Sequence, residues 1–471
     1  MRIVLAVVAI VILSTQVFCS SSPESQSIWD FQIQPVESEI ISSYRTGSIQ
    51  VNEVYYYSKD YNGQPARIFG YYCYPADRKD KLPTILISHG GGGTAVLSGT
   101  LLWARRGYAV LSIDLPGQGE QRAGSRSTGP DMTVPNLLHT QPDPENNYLV
   151  HAVAAIRNGI TFLTQQKQVD SDRIAMVGLS WGGVLTLLTN GQDDRLATAV
   201  NVFGAGFIPE GCTWQTRFDN MSELEKSTWD NLIDPKNFLA TQHAPILFIT
   251  GTNDHCYYLP TFQKSYQQVT VPKKMYIVPN LRHQFLEDTQ QVVFLWLDDK
   301  LKYNGSFPRI ELVSLFQKSE DKLVVSVQVE ALHNVTDATL YYTIGGPSRW
   351  TKRVWQSQPP YVENEVYYFA IPTEMVEPEM LFFVNVEDDH GRLVSSPVRS
   401  IMRVNTLKDK ETFAVSSPIE NINIHQPPLK FLGSQALYES MNIFFSKSMN
   451  SYHLMEARNL FSPPNKASVK Y

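Results

Sequence analysis

Ile174-Ala175-Met176-Val177-Gly178-Leu179-Ser180-Trp181-Gly182-Gly183 runs straight on into Val184-Leu185-Thr186-Leu187-Leu188. An apolar run ends in Gly-x-Ser-x-Gly, and an apolar helical pattern begins at once. This is the strand–turn–helix context in which a serine is raised as a nucleophile. The turn is so tight that side chains flanking the serine would collide, so glycines stand two before it and two after it. It lifts the Ser180 hydroxyl clear of the sheet. It also sets the Trp181 N–H beside that hydroxyl, at a helix N-terminus that favours developing negative charge. Gly-x-Ser-x-Gly arises often by chance, so the rest of the chain must decide its meaning.

Outward from this stretch the chain alternates strands and helices. Pro83-Thr84-Ile85-Leu86-Ile87-Ser88 reads as a buried, parallel-type strand ending in His89-Gly90-Gly91-Gly92-Gly93. Thr100–Arg105 reads as helix. Tyr108–Ile113 is a second buried strand, closing with Asp114-Leu115-Pro116-Gly117-Gln118-Gly119. Leu149, Val153, Ile156, Ile160 and Leu163 form one helical stripe ahead of the serine strand. Leu196–Phe203, Ala244–Thr250 and Lys274–Val278 are later strands, the last leading into a helix that runs to about Tyr303. Earlier, Val51–Tyr57 and Ala66–Tyr74 predict a hairpin about Tyr61-Asn62-Gly63-Gln64, after a lead-in over about 24–50. The expectation is an α/β unit over residues 24–305, with a doubly wound, mostly parallel sheet and ligands at the strands' carboxyl ends. Segments 118–147 and 204–243 leave those ends and are expected to cap the site. Trp214 and Trp229, in the second of them, are candidate substrate-wall residues.

A serine nucleophile needs a base, and the base needs an orienting acid. In the doubly wound plan these follow in the order Ser, Asp, His, each after a late strand. Asp254, in Gly251-Thr252-Asn253-Asp254, and His283, in Pro279-Asn280-Leu281-Arg282-His283, meet that order. His283 would take the Ser180 proton, and Asp254 would hold its tautomer and stabilise its charged form. His255 is the nearest competitor, but its side chain should diverge from that of its neighbour Asp254. An oxyanion hole needs two N–H donors. Gly91, in the glycine run after an early central strand, is the candidate beside Trp181.

Length, charge and composition narrow the rest. A chain of 471 residues is too long for one core. A net charge of −6 without Lys/Arg runs argues against a nucleic-acid partner. Residues 1–19 have one positive charge, a short apolar core and small residues toward Cys19, which predicts a secretory signal peptide. The apolar run falls short of the ~20 residues a membrane span needs, so no span is expected after cleavage. Export brings oxidising conditions, and Cys212 with Cys256 is the pairing favoured among the remaining cysteines. It also makes the sequons at Asn220, Asn304 and Asn334 candidate glycosylation sites. Residues 306–404 read as seven short alternating strands: Arg309–Lys318, Val325–Glu330, Asp337–Ile344, Thr351–Gln358, Glu365–Pro372, Leu381–Glu387 and Leu393–Met402. That spacing predicts a small all-β, immunoglobulin-like sandwich. The extension 405–471 carries no clear pattern.

His89-Gly90-Gly91, Asp114–Gly119, Gly178–Gly183, Gly251–Asp254 and His283 together resemble the α/β-hydrolase superfamily. Within it the chain is most similar to the acetyl xylan esterase and dienelactone hydrolase-like group, which borders on the prolyl oligopeptidase-type serine peptidases. The resemblance covers roughly residues 50–303. It implies a Ser180–Asp254–His283 triad that hydrolyses a small-molecule or carbohydrate ester without cofactor or metal. Trp181 departs from the glutamine often found after the serine in acetyl xylan esterases. A serine peptidase acting on short peptides and a non-catalytic binding protein on the same fold are the alternatives. Nothing in the sequence speaks to oligomeric state.

Overall fold

Strands with no polar face must be covered on both sides. β4 (Leu82–Ser88), β5 (Ala109–Ile113), β7 (Thr198–Val202) and β8 (Ile246–Gly251) are buried at every residue. In the computed structural model, which describes residues 27–117, 124–303, 305–345, 350–377, 379–405 and 411–416, they lie in one mixed sheet. β6 (Val169–Leu179) and β9 (Lys273–Val278) join them, so that the order β5-β4-β6-β7-β8-β9 is parallel throughout. β1 (Ser38–Thr46), β2 (Ile49–Tyr61) and β3 (Gln64–Pro75) extend the β5 side as an antiparallel meander. The α2 (Tyr148–Thr164), α3 (Trp181–Asn190) and α4 (Leu259–Gln268) helices cover one face, whereas α1 (Leu97–Arg105) and α5 (Glu287–Asp298) cover the other. Alternate residues of one strand serve the two sides: Leu86 and Met176 face one, Ile85, Ile87 and Val177 the other.

The lead-in expected before residue 50 contains β1. It is exposed along most of its length, so no apolar period marks it, and backbone pairing to β2 holds it. The expected signal peptide over residues 1–19 and most of the C-terminal extension lie outside the described residues.

From Arg309 the chain forms two further sheets. One has the order β10-β11-β15-β14, from Arg309–Ser319, Lys322–Glu330, Val366–Pro372 and Tyr361–Glu363. The other is β13-β12-β16-β18-β19, from Gln356–Gln358, Val335–Ile344, Glu379–Asp388, Arg399–Asn405 and Glu411–Val415, with β17 (Leu393–Ser395) paired to β16. Inward residues of both sheets, among them Val325, Val327, Phe369, Leu340, Phe382 and Val384, share one apolar cluster. The sheets differ from expectation in four places. β14 is an additional short strand, and the expected strand Leu393–Met402 is broken after Ser395 into β17 and β18. β19 carries them past residue 404. The expected strand 351–358 is a tight turn at Trp350–Lys352 and only three paired residues, because Trp350 and Trp355 are buried toward the α/β unit.

The two units share an interface at β9, the sheet's outer strand. The Ile277 N–H donates to Ser395 Oγ at 2.7 Å, and Asn385 Nδ2 donates to the Ile277 carbonyl at 3.1 Å. Polar side chains thereby satisfy an edge that would otherwise pair with another chain. Gln263 Nε2 on α4 donates to the Val398 carbonyl at 3.0 Å.

Candidate active site

The turn between β6 and α3 is as tight as the glycine spacing requires. A Cβ on Gly178 would sit 1.9 Å from the Gly182 carbonyl oxygen, and one on Gly182 would sit 2.3 Å from that of Ser88. Ser180 adopts φ 58°, ψ −118°, a conformation that costs a non-glycine residue on the order of 1–3 kcal/mol. The surroundings hold it there. Its N–H donates to the Val202 carbonyl at 2.8 Å, and its own carbonyl accepts the Val184 N–H at 3.0 Å, starting α3.

Loops after β8 and β9 bring Asp254 and His283 to this serine. Ser180 Oγ lies 2.8 Å from His283 Nε2, and His283 Nδ1 lies 2.9 and 3.0 Å from the two Asp254 carboxylate oxygens. With Asp254 ionised, Nδ1 carries the proton and Nε2 accepts from the serine hydroxyl. Asp254 Oδ1 also accepts the N–H groups of Cys256 at 2.7 Å and Tyr257 at 3.2 Å, which fixes the carboxylate. All three side chains are buried. Burial works to lower the His283 pKa. The Asp254 charge outweighs it, aided by Cys256 and by hydrogen bonds to both, and the pKa lies well above the ordinary 6.5.

Gly91 and Trp181, the two oxyanion candidates, are brought together. A Cβ on Gly91 would meet Trp181 Cδ1 at 3.0 Å, so the indole lies over the glycine loop. His89 anchors that loop. Its Nε2 accepts the Leu115 N–H at 3.1 Å, and its Nδ1 lies 2.7 Å from the Gly90 carbonyl, to which it donates in this tautomer.

Trp214 packs on Trp181 with ring centroids 4.9 Å apart, and Tyr257 closes the cluster at 5.6 Å from Trp214 and 6.2 Å from His283. The Trp214 N–H and the Tyr257 hydroxyl are buried without a hydrogen-bond partner among the described residues. Trp229 sits elsewhere. It is fully buried against Phe218 at 5.0 Å and donates to Asp234 Oδ2 at 3.2 Å. It belongs to the core of the 204–243 insertion, which Asp234 organises by also accepting the N–H groups of Phe207, Ile208 and Lys236. The insertion touches the 118–147 segment where Gln141 Nε2 donates to Thr228 Oγ1 at 2.8 Å. Residues 118–123 lie outside the described residues.

Cys73, Cys212 and Cys256 are all free and buried, so the expected Cys212–Cys256 bridge is absent. The two lie close, since Cys212 pairs as an isolated β-bridge with Tyr257. Cys256 instead contacts His255 and His283. Burial raises its pKa, but the two histidines outweigh this and hold the thiol below its usual value. His255 does not diverge from Asp254 as expected: a ring nitrogen of His255, a carboxylate oxygen of Asp254 and the Cys256 sulfur lie within 4.8 Å of one another. The His255 ring lies 5.8 Å from that of His283, edge to face. Two neighbours went unnoticed in the sequence: Cys256, weighed only for a bridge, and Phe203, whose ring lies 4.6 Å from that of His283. Phe203 has φ 69°, a non-glycine left-handed conformation that no local pattern announces.

The β-sheets' 350–355 segment reaches both triad loops. Asn253 Nδ2, next to Asp254, donates to the Thr351 and Arg353 carbonyls at 3.1 and 2.7 Å. The Trp350 indole donates to the Thr252 carbonyl at 3.0 Å. Asn280, three residues before His283, exchanges two 2.8 Å hydrogen bonds with the Trp355 backbone.

The sequence matches the family described as acetyl xylan esterase (AXE1) over residues 20–207 and the prolyl oligopeptidase family over residues 147–304. Over these partial stretches the chain is similar to the acetyl xylan esterase-like α/β-hydrolases and to the prolyl oligopeptidase type that they border on. Acetyl esterase Axe7A of Xylanibacter ruminicola is 25% identical over 249 residues, covering 50% of this chain and 56% of that protein. The acylamino-acid-releasing enzyme of Rattus norvegicus is 22% identical over 251 residues, covering 47% of this chain and 32% of its own length. The chain therefore spans about half of the first relative's length and a third of the second's. Among solved structures, an acetyl xylan esterase from Paenibacillus sp. R4 aligns with a TM-score of 0.49 at 23% identity, over 57% of this chain and 90% of that one.

Proposed function

We propose that this chain is a secreted serine hydrolase that cleaves carboxylic esters, in the manner of the acetyl xylan esterase-like group, through an acyl-enzyme on Ser180. The observation that carries the reading is the unbroken hydrogen-bonded chain from Ser180 Oγ through His283 to Asp254, with distances of 2.8 and 2.9 Å. His283 Nε2 takes the hydroxyl proton as Ser180 Oγ bonds to the ester carbonyl carbon. The N–H groups of Gly91 and Trp181 hold the oxyanion. Collapse breaks the bond to the alcohol, which leaves with the proton from Nε2–H. Water then gives a proton to His283 Nε2 as its oxygen bonds to the acyl carbon, and the Ser180 Oγ–carbon bond breaks as Nε2–H returns that proton to Oγ, releasing the carboxylic acid and restoring Ser180. Asp254 stays ionised throughout, orienting Nδ1–H. Trp181, Trp214 and Tyr257 form the wall against which the substrate packs.

Residues 1–19 support export, with Asn220, exposed, as a glycan acceptor; the Asn334 amide is instead engaged with Asp389 Oδ2, and Asn304 lies outside the described residues. Among the described residues no helix is long and apolar enough to cross a membrane. The first–second–sixth–fifth strand order of one sheet, with the third and seventh strands paired in the other, supports the immunoglobulin-like reading of the C-terminal unit.

The test is a panel of p-nitrophenyl esters and dipeptide amides on the purified chain, with Ser180→Ala as control. Ester turnover that disappears in the variant is expected. Turnover that persists in the variant would overturn the assignment of Ser180. Amide turnover exceeding ester turnover would favour the peptidase reading, which the prolyl oligopeptidase match over residues 147–304 supports.

A further inference from the structure

In an antiparallel ladder, paired residue numbers sum to a constant. β12 joins β16 at Val335 opposite Asp388. Carried outward, the same register sets Asn334 against Asp389 and His333 against His390. The ladder does continue, since the Asp389 N–H donates to the Asn334 carbonyl at 2.9 Å. The loop before β12 and the turn after β16 thereby bring two imidazoles and a carboxylate together. The His333 and His390 ring centroids are 3.9 Å apart. Both rings turn Nδ1 toward Asp389 Oδ1, at 2.8 Å from His390 and 3.9 Å from His333. One ligand atom from each of the three residues lies within 4.8 Å of the others.

We infer that His333, Asp389 and His390 form a binding site for a divalent transition cation of the Zn²⁺ class. Imidazole and carboxylate are the donors such an ion takes, with a water completing a tetrahedron. Ligands about 2.0–2.1 Å from a tetrahedral zinc stand about 3.3 Å apart. The 2.8 and 3.9 Å separations bracket that edge, and the ligand atoms of the two imidazoles lie within 4.8 Å of each other. The surroundings are built for it. Asn334 Nδ2 donates to Asp389 Oδ2 at 3.2 Å, which orients the carboxylate and leaves Oδ1 toward the imidazoles. Asp388 Oδ1 accepts the N–H groups of His390 at 3.0 Å and Arg392 at 2.9 Å, fixing the turn. All three ligands are partly exposed, so an ion has an entry path. Hard cations such as Ca²⁺ and Mg²⁺ want six or more oxygens and gain little here.

An ion here staples the loop before β12 to the turn after β16. That turn is tied to the α/β unit by Arg392, which donates to Asp299 at 2.6 and 2.9 Å. Binding to the native state alone then stabilises it by mass action.

The experiment uses the full chain without a histidine tag, stripped with EDTA and dialysed. Isothermal titration with ZnCl₂ and with CaCl₂ is run on the wild type, on His333→Ala and His390→Ala, on their double variant, and on the glutamine pair His333→Gln and His390→Gln. Far-UV circular dichroism selects the folded variants. The wild type is expected to take one Zn²⁺ and to show no heat with CaCl₂. Each single change should weaken Zn²⁺ binding about tenfold or more, and each double change should abolish it. Zn²⁺ should raise the wild-type melting temperature and leave that of the double variants unmoved. A wild type that takes no Zn²⁺, or double variants that bind it as the wild type does, would overturn the assignment. The latter result would point to the Asp254–His255–Cys256 cluster, the other group of metal-type ligands among the described residues.

Discussion

The serine end of the triad and its acid–base end are held by different parts of the molecule. Ser180 is fixed entirely within the α/β unit, by glycines that let β6 and α3 meet and by backbone hydrogen bonds to Val202 and Val184. Asp254 and His283 ride on loops whose outer sides are tied to the C-terminal sheets through Asn253, Asn280, Trp350 and Trp355. The first arrangement is local and rigid by sterics. The second depends on a segment about a hundred residues away in the chain. The C-terminal unit is therefore part of the geometry that brings His283 to Ser180.

The largest expected effects test the triad itself. Ser180→Ala should lower kcat on the order of 10⁶-fold, with the melting temperature kept, because the lost hydroxyl is a small group at a turn fixed by backbone contacts. Asp254→Asn should cost on the order of 10⁴-fold by favouring the wrong imidazole tautomer. Steady-state kinetics on one activated ester decides both, and a near-normal rate in either variant would remove that residue from the chemistry.

The next effect down separates the two ends. Asn253→Ala leaves two carbonyls of the 351–353 segment without their donor, a loss of about 1–3 kcal/mol in stability. It should also lower kcat by up to about 10²-fold, because the Asp254 loop loses its outer support and small misplacements of catalytic groups are costly. KM should change little. A variant that loses stability but keeps full kcat would mean that the C-terminal unit stabilises the fold without positioning the acid–base pair.

A smaller effect probes the serine end. Gly91→Ala puts a methyl 3.0 Å from Trp181 Cδ1, so the indole or the loop must yield by a few tenths of an ångström. A displaced donor should cost about tenfold in kcat, short of the 10²–10³ seen when an oxyanion donor is removed. Trp181→Leu should restore part of it if the contact is the cause, a coupling that a double-mutant cycle measures. Additive effects would show that the two residues act separately.

This division also explains what could be read in the sequence. The Ser180 turn was legible because everything it needs lies within ten residues. Asp254 and His283 were legible because strand ends are local features and their order is fixed by the architecture. The bracing by Trp350 and Trp355 was not, because a tryptophan in a β-rich stretch reads first as sandwich core. β1 escaped because an exposed strand has no apolar period. Cys256 was misread because an oxidising compartment makes two nearby cysteines look like a pair, whereas its partners here are His255 and His283. Trp229 was read as a wall residue although its indole serves Asp234 inside the insertion.

The smallest predicted effect concerns Cys256, which belongs only to the acid–base end. Catalysis needs His283 neutral, so the rate should rise with pH through the His283 pKa. That pKa lies above its ordinary value of 6.5: burial lowers it, but Asp254 and Cys256 favour the imidazolium more strongly. The acid limb of kcat/KM should therefore have its midpoint above 6.5, and the same shift carries a stability term of opposite pH dependence. A histidine whose folded pKa exceeds the unfolded one stabilises the fold fully below the unfolded value, near 6.5. That contribution is lost as pH rises through the raised folded value. Activity and this part of the stability should thus cross over in one window. Cys256→Ser keeps the size of the side chain but removes a group that supports the imidazolium. Its acid limb should move to lower pH, with kcat at the plateau within about threefold of wild type, since the group touches the base and not the reacting atoms. Ser180 and its backbone contacts are unchanged, so fluorophosphonate labelling of Cys256→Ser at high pH should match the wild type. A limb that stays in place on the same ester would show that Asp254 alone sets the His283 pKa. A limb that moves upward would mean that Cys256 opposes the imidazolium and stands there as a neutral thiol.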